Sequence, residues 1–399
     1  MSSCHPLSGL FVVEVGHSIA APYAGMILAE LGAEVVKVEN PKGGDAARLW
    51  GPPFSAGAST CFQAFNRGKR GITADLSNAE ERARLHALIR DRADVLLHNL
   101  KFGALDRFGL SAETLLAEKP ALIYCPVGAF GTKGPLRERP GYDPMMQAYG
   151  GLMSLLGEEG RPPVRVGVSI IDIATGLWAV IGILAALQER GRTGKGGLVD
   201  VSLYETTLAW MTLPITTYLA NREIPKRHGS AIEQIVPYQA FAAADGFMMV
   251  AAGNDNLFRR LAAAIGRPSL ADDPKFRTNP DRVVNRNALV AILSDVFVTE
   301  PLRVWAQKLE RAQIPYSPIQ NVAEVVADAQ ACALGMIQDA VPSPELVEGS
   351  KEAQQTALSL MGLPLSFDGV RPPLEKLAPT LGEDNADFLG EESAQERRD

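Results

Sequence analysis

Strand-like and helix-like runs alternate through the first 125 residues, and this alternation limits the fold more than any other feature of the chain. Residues 10–15 (LFVVEV) read as a buried strand, 21–31 as a helix and 34–39 (EVVKVE) as a second strand. A loop rich in Gly and Pro covers 40–58. A helix opens after it, with Ser77 as the expected N-cap and Glu80 as its capping-box partner. Strands are expected again at 94–98 and 121–125. Strands separated by helices imply a parallel sheet of right-handed βαβ units. The expected fold class is therefore α/β, with a Rossmann-like large domain.

Further along, residues 172–190 read as a helix stopped by Gly191 and the turn GRTGKGG. A strand (198–202) and an apolar helix (204–219) follow, and then a polar stretch, 221–229, that reads as a boundary. The expected organisation is a large domain over 1–220, a smaller α+β domain over 230–325 and a C-terminal segment, 326–399, whose last dozen residues look frayed. At 399 residues the length suits about two domains of roughly 100–200 residues.

The formal charge of −7 argues against nonspecific nucleic-acid binding. The start, MSSCHPLSGL, has no basic region followed by an apolar core, so no secretory signal is expected. The most apolar stretch, 170–187, is interrupted by Asp172, Thr175 and Gly176 and reads as a buried amphipathic helix rather than a membrane span. Cys4, Cys61, Cys125 and Cys332 are isolated, and the five histidines show no ligand spacing. Neither a metal site nor a disulfide framework is expected, and the default setting is cytoplasmic.

The first strand–helix turn, Gly16-His-Ser-Ile-Ala-Ala, lacks the glycines that let backbone approach a dinucleotide pyrophosphate. More informative is Asp172, where the strand-like run 167–171 meets a helix. One reading is an N-cap, since Asp is a favoured cap; the other is an ionised nucleophile of the kind that forms acyl intermediates. The residues alone leave both open.

The string after Asp172, GLWAVIGILAALQERGRTGKGGLVDVSLYE, resembles the signature of the class III CoA-transferases, which include the formyl-CoA and carnitine CoA-transferases. The resemblance extends in order over most of the chain, through LFVVEVGHSIAAPYAGMILAELGAEVVKVE, GGDAARLWGPP, NRGKRGITADL, HNLKFGALDRFGL, GTKGPLRERPGYDPMMQAYGGLMS and DPKFRTNPDRVVNR. It implies that Asp172 is the catalytic aspartate and that Asp143 is an acidic residue close to it. It also implies contacts to coenzyme A: Asn99 and Arg107 to the pantetheine and phosphate parts, Ala74 and Leu76 around the adenine, and Phe108 stacked on it. No metal is required. The partners it implies are an acyl-CoA donor, a carboxylic-acid acceptor and a second copy of the chain, interlocked as linked rings.

The sequence also departs from the formyl-CoA enzyme. Ile19 stands where that enzyme has a glutamine at the reacting centre, and the four-glycine run is missing. Succinyl-CoA with a dicarboxylate such as itaconate, mesaconate or citramalate resembles other members better. Arg48 and Arg165 are candidates for the distal carboxylate, with a surface or structural role as the alternative reading. The first competing activity is that of an acyl-CoA racemase of the same superfamily, which resembles this chain but has a His-Asp pair where Tyr142-Asp143 stands. Tyrosine, with a reference pKa near 10, is a poor base at neutral pH. A noncatalytic CoA-binding protein is the competitor from another class.

Overall fold

The computed structural model describes residues 5–340 and 358–389 and divides into two units. The first comprises residues 1–150, 166–211 and 329–399, and the second 151–165 and 212–328. The polypeptide therefore leaves the first unit twice, and the short excursion 151–165 has no counterpart in the sequence reading. The expected fraying of the last dozen residues concerns a stretch that lies almost wholly outside the described residues.

The first unit is built on a parallel sheet. Its strands are β1 (Phe11–Val15), β2 (Glu34–Glu39), β3 (Arg70–Thr73), β4 (Val95–His98), β5 (Ile123–Gly128) and the short β6 (Gly197–Leu198) and β7 (Val201–Ser202). The order is β3-β2-β1-β4-β5-β6, with β7 also on β5, and every pairing is parallel. All five β1 residues are buried, as expected of a strand covered on both faces. The α/β class expected from the alternation is what the structure has.

Several boundaries differ from expectation. The strand β3 was not anticipated, because RGIT is short and follows a basic, Gly-containing run. Its outer edge is covered by the C-terminal segment: the Asp384 carboxylate accepts from Gly71 N–H at 2.6 Å, and Asn385 from Thr73 N–H at 2.8 Å. The helix α2 (Ala79–Arg92) is capped by Asn78, which accepts from the N–H groups of Glu80 and Glu81, while Ser77 is held by Asp75. Asparagine caps at least as well as serine, so the cap moves one residue. The apolar helix expected over 204–219 is two helices, α5 (Leu203–Trp210) and another over Thr212–Asn221.

Two helices carry the site. The helix α1 (Ala20–Glu30) follows β1, and α4 (Ile170–Thr193) crosses it closely; a third, short helix, α3 (Asp143–Tyr149), lies between them in the chain. A Cβ on Gly176 would come within 2.7 Å of the Ala20 carbonyl oxygen, so only glycine permits this crossing. The helix runs three residues past the expected stop and ends at Gly194, whose φ of 73° is the left-handed conformation of a C-terminal cap. By length and composition α4 is apolar enough to cross a membrane, but Ile171, Ala174, Ala179, Val180 and Ile183 are buried within the unit.

The second unit has an antiparallel sheet of β8 (Tyr238–Ala243), β9 (Gly246–Ala251) and β10 (Tyr316–Pro318), in that order. Helices Asp255–Ala264, Arg286–Phe297 and Leu302–Arg311 supply Phe258, Leu293, Phe297 and Trp305 to its core.

Candidate active site

The tips of three strands lie side by side, with Val15 opposite His98 and His98 opposite Pro126. This C-terminal edge is where parallel α/β sheets bind ligands. The turn leaving β1 is held residue by residue. Lys37 Nζ donates to the Gly16 carbonyl at 2.8 Å. Asn99 brackets His17, accepting from its N–H at 2.9 Å and donating to its carbonyl at 2.8 Å. The Asp45 carboxylate accepts from Ser18 N–H at 3.0 Å. Ser18 has a φ of 65°, a conformation costing a non-glycine residue roughly 1 kcal/mol or more, and these bonds hold it there.

Beneath the turn lies a buried ion network. Glu14 is 3.3 Å from Lys37 and 2.7 Å from Lys69, and Asp45 is 3.0 Å from Lys37; the Glu14, Lys37 and Lys69 side chains are wholly buried. Burial works against a charged Lys37, but Glu14, Asp45 and Glu39 outweigh it and hold the ammonium above its usual range. Lys69 is pushed down to about 8, first by burial and then by the like charge of Lys37, despite Glu14. A Cβ on Gly25 would come within 1.9 Å of Glu14 Oε2, so this network also explains a glycine inside α1.

Asp172 occupies the first turn of α4, two residues inside the helix, and is not its N-cap. The helix N-terminus is capped by Asp143, which is almost fully buried. One oxygen of Asp143 accepts from Ile171 N–H at 2.7 Å and Asp172 N–H at 3.3 Å; the other accepts from Gln147 Nε2 at 2.5 Å. Gln147 is fixed in turn by accepting from Val166 N–H at 2.9 Å. The N–H groups of Ile171 and Asp172 at the helix start are therefore engaged by Asp143. The Asp172 carboxylate has no hydrogen bond among the described residues. Burial, and then the nearby Asp143, push its pKa up to about 7. Such a carboxylate is part-ionised at neutral pH and more basic than an ordinary one, properties suited to covalent catalysis.

Two clefts open along this edge. One, of about 480 Å³, is lined by His17, Ser18, His98, Tyr142 and Asp172, among others. The other, of about 620 Å³, has Ala74, Leu76 and Phe108 in its wall together with Lys42 and Asp45. His17 and Leu100 line both, so the clefts meet at the turn that Asn99 holds.

The structure thus places Asp172 and Tyr142 in the wall of one cleft, with Asp143 buried and bonded to the Asp172 N–H, and Ala74, Leu76 and Phe108 in the wall of the other. Asn99 lines the first cleft while holding His17. Arg107 is exposed beside Phe108, its guanidinium 5.5 Å from that ring. Ile19 is buried, and its neighbours Ser18 and Ala20 form the cleft wall instead. Arg48 is built into the fold: it pairs with Glu39 through both nitrogens, at 2.9 and 2.6 Å, and lies 3.9 Å over the Phe62 ring. Arg165 belongs to the second unit and is exposed.

Sequence reasoning missed Glu14, Lys37, Asp45, Lys69, His98 and Gln147. A signal existed for some of them. A lone charge inside an otherwise apolar strand, as in FVVEV and EVVKV, demands a buried counter-charge. His98 ends an apolar strand in the same way.

Residues 7–385 match the family described as CoA-transferase family III. A succinate–glutarate CoA-transferase of Agrobacterium fabrum is 37% identical over 399 residues, covering 98% of this chain and 97% of that one. A succinyl-CoA:glutarate CoA-transferase of Mus musculus is 39% identical over 337 residues, 84% of this chain and 77% of its own. Among solved structures, a CAIB/BAIF family protein from Brucella suis superposes with a TM-score of 0.83 at 40% identity, covering 96% of this chain and 98% of that one. The chain therefore belongs to CoA-transferase family III.

Proposed function

We propose that this CoA-transferase moves CoA from succinyl-CoA to a second dicarboxylate, and that Asp172 is its covalent nucleophile. The single observation that carries the reading is the Asp172 carboxylate, unpaired, raised to about 7 and set in the wall of a cleft that meets a second one at His17 and Leu100. The second cleft suits the nucleotide: Phe108 offers a ring to the adenine, Ala74 and Leu76 an apolar wall and Lys42 positive charge for phosphates, with Arg107 exposed outside the cleft wall beside Phe108. Glutarate is the first acceptor to test, because the Agrobacterium fabrum and Mus musculus relatives are named for it. Itaconate, mesaconate and citramalate complete the panel.

In the proposed cycle an oxygen of Asp172 attacks the donor thioester carbonyl. The C–S bond breaks, leaving a mixed anhydride and CoA thiolate. The thiolate attacks the aspartyl carbonyl, releasing succinate and forming an aspartyl-CoA thioester. The acceptor carboxylate attacks that thioester, expelling thiolate and forming a second anhydride. Attack of the thiolate on the acceptor's carbonyl yields the new acyl-CoA and restores Asp172. Each step is an acyl transfer with no net proton, and covalent catalysis gains by splitting one hard exchange into several easier ones. Asp143 positions Asp172 by capping its helix and keeps its carboxyl basic.

The test is to trap the intermediate. Incubation with succinyl-CoA, then hydroxylamine or borohydride, should mark a peptide containing Asp172, located by mass spectrometry. A mark on Asp143, or none with active enzyme, overturns the assignment; binding without any adduct favours a noncatalytic CoA-binding protein.

We also propose that the working form is a cytoplasmic homodimer. Support comes from the outer face of α4, where Leu177, Trp178, Ile181 and Leu184 are exposed, with Trp210 on α5 exposed as well. A contiguous apolar face of this kind is expected to be covered.

A further inference from the structure

His98, the last residue of β4, is only 7% exposed, yet neither ring nitrogen has a hydrogen-bond partner. Its ring meets Tyr124 edge-on, with centroids 5.3 Å apart and planes at 77°. The Tyr124 hydroxyl does not help, since it donates to the Leu110 carbonyl at 3.1 Å. Burial is the sole cause acting on the imidazole, and it pushes its pKa down to about 4, so the ring is neutral at physiological pH. A neutral imidazole presents one N–H donor and one nitrogen acceptor. Buried polar atoms left unpaired in a native protein call for an explanation.

The position of His98 supplies one. It lines the cleft that contains Asp172, and the next two residues tie that cleft to its neighbour. Asn99 holds His17, and both His17 and Leu100 line the two clefts. An acyl-CoA with its nucleotide in one cleft and its thioester at Asp172 must pass this junction. Between the nucleotide and the sulfur such a ligand has only the pantetheine arm, whose polar groups are two uncharged amides and, at the end near the phosphates, one hydroxyl. Each amide offers one donor and one acceptor, the same inventory as the ring. A carboxylate would suit the place less well, because no charged group acts on the ring.

We propose that His98 is the hydrogen-bonding partner of an amide in the pantetheine arm, fixing how far the arm reaches toward Asp172. This rests on the reading that the two clefts together take acyl-CoA. His98 is then a binding residue, and the gain from its bond appears only in the complex.

The test uses the full chain with His98→Leu and His98→Asn, and begins by measuring CoA binding to wild type by calorimetry. Absence of binding there refutes the acyl-CoA reading itself, before any variant is made. Given binding, the Leu variant should melt at an equal or higher temperature without ligand, because two unpaired buried atoms are gone. Its KM for succinyl-CoA should rise about threefold to tenfold, the worth of one neutral hydrogen bond. The Asn variant should recover part of the loss. Comparing succinyl thioesters of pantetheine, of N-acetylcysteamine and of an amide-free alkyl thiol locates the contact. The preference for amide-containing carriers over the alkyl thiol should collapse in His98→Leu. Loss of preference for both carriers places the bond at the amide nearer sulfur. Loss for pantetheine alone places it at the farther amide if a deoxy-pantetheine thioester, lacking the pantoyl hydroxyl, shows the same loss, and overturns the amide assignment if it does not. An unchanged KM with an unchanged amide preference in folded His98→Leu overturns the proposal and leaves His98 as packing.

Discussion

Replacing Asp143 by Asn separates the two effects this residue exerts on Asp172. The first is electrostatic. Asp172 is raised to about 7 by burial first and Asp143 second, so removing the Asp143 charge lowers the pKa without restoring the ordinary 3.8. If the carboxylate is the nucleophile, the acid limb of kcat/KM for succinyl-CoA reports this ionisation in the free enzyme. At pH 6 a group of pKa about 7 is about one-tenth ionised, so the variant's relative gain there is capped near tenfold and vanishes above about pH 8. The second effect is geometric. The introduced amide can still accept from Ile171 N–H through its oxygen, but its nitrogen then faces the Gln147 Nε2 donor. Gln147 cannot turn over, because its oxygen is committed to Val166 N–H. One buried donor is left unpaired, at a cost of about 1–3 kcal/mol in stability. The variant should therefore unfold at lower urea and show a lower plateau, yet its limb should move to lower pH. The measurement is the pH profile of kcat/KM from pH 5 to 9. A limb that stays put or moves upward refutes the coupling between the two carboxylates.

Four other outcomes are expected. Asp172→Asn should abolish transfer and spare CoA binding. Because the raised folded pKa makes ionised Asp172 a destabilising charge, its stabilising effect should be larger at pH 8 than at pH 5 in thermal melts, the sign opposite to a salt-bridged carboxylate. Glu14→Gln leaves Lys37 and Lys69 without their shared carboxylate and should cost about 3–5 kcal/mol in urea unfolding; a loss under about 1 kcal/mol would contradict the network. Sedimentation should find a dimer at micromolar concentration, weakened by Ile181→Glu on the apolar face of α4, and a wild-type monomer would sink the assembly proposed. Deuterium uptake from D₂O into a 2-methylacyl-CoA should be slower than transfer by orders of magnitude if, as the resemblance implies, Tyr142 replaces the racemase histidine; rapid uptake without acceptor acid would favour isomerisation.

Periodicity in the chain carried the sheet and the site helix well. The runs LFVVEV and EVVKVE became β1 and β2 because apolar β-branched residues buried on both faces leave little other choice. Local chemistry carried the boundaries less well. Ser77 and Asn78 are both good caps, and only the fold chose between them. The family was legible where a motif was contiguous, as around Asp172. The site was illegible where tertiary partners decide: nothing local says that Asp143, 29 residues earlier, caps the helix of Asp172, or that Arg48 is spent on Glu39. The position of Asp172 relative to its helix was also misjudged, since Ile170 and Ile171 read as strand but form its first turn.

The cover over the outer edge of β3 has a consequence for the order in which the protein can be completed. Arg70 pairs with Asp384 and Asp387, and the latter is 317 residues further along the chain. At a synthesis rate of about 5–20 residues per second, roughly 15–60 s separate the two ends of that contact. Throughout that interval the nascent sheet presents an unpaired strand edge, the element most prone to pair with a neighbouring chain. The strand itself, RGIT, answers part of that hazard by being four residues long and beginning with a charge. Folding of the sheet is thus closed by a segment that leaves the ribosome long after the strand it covers, and a nascent chain stopped short of it keeps an open edge beside every other chain on the same message.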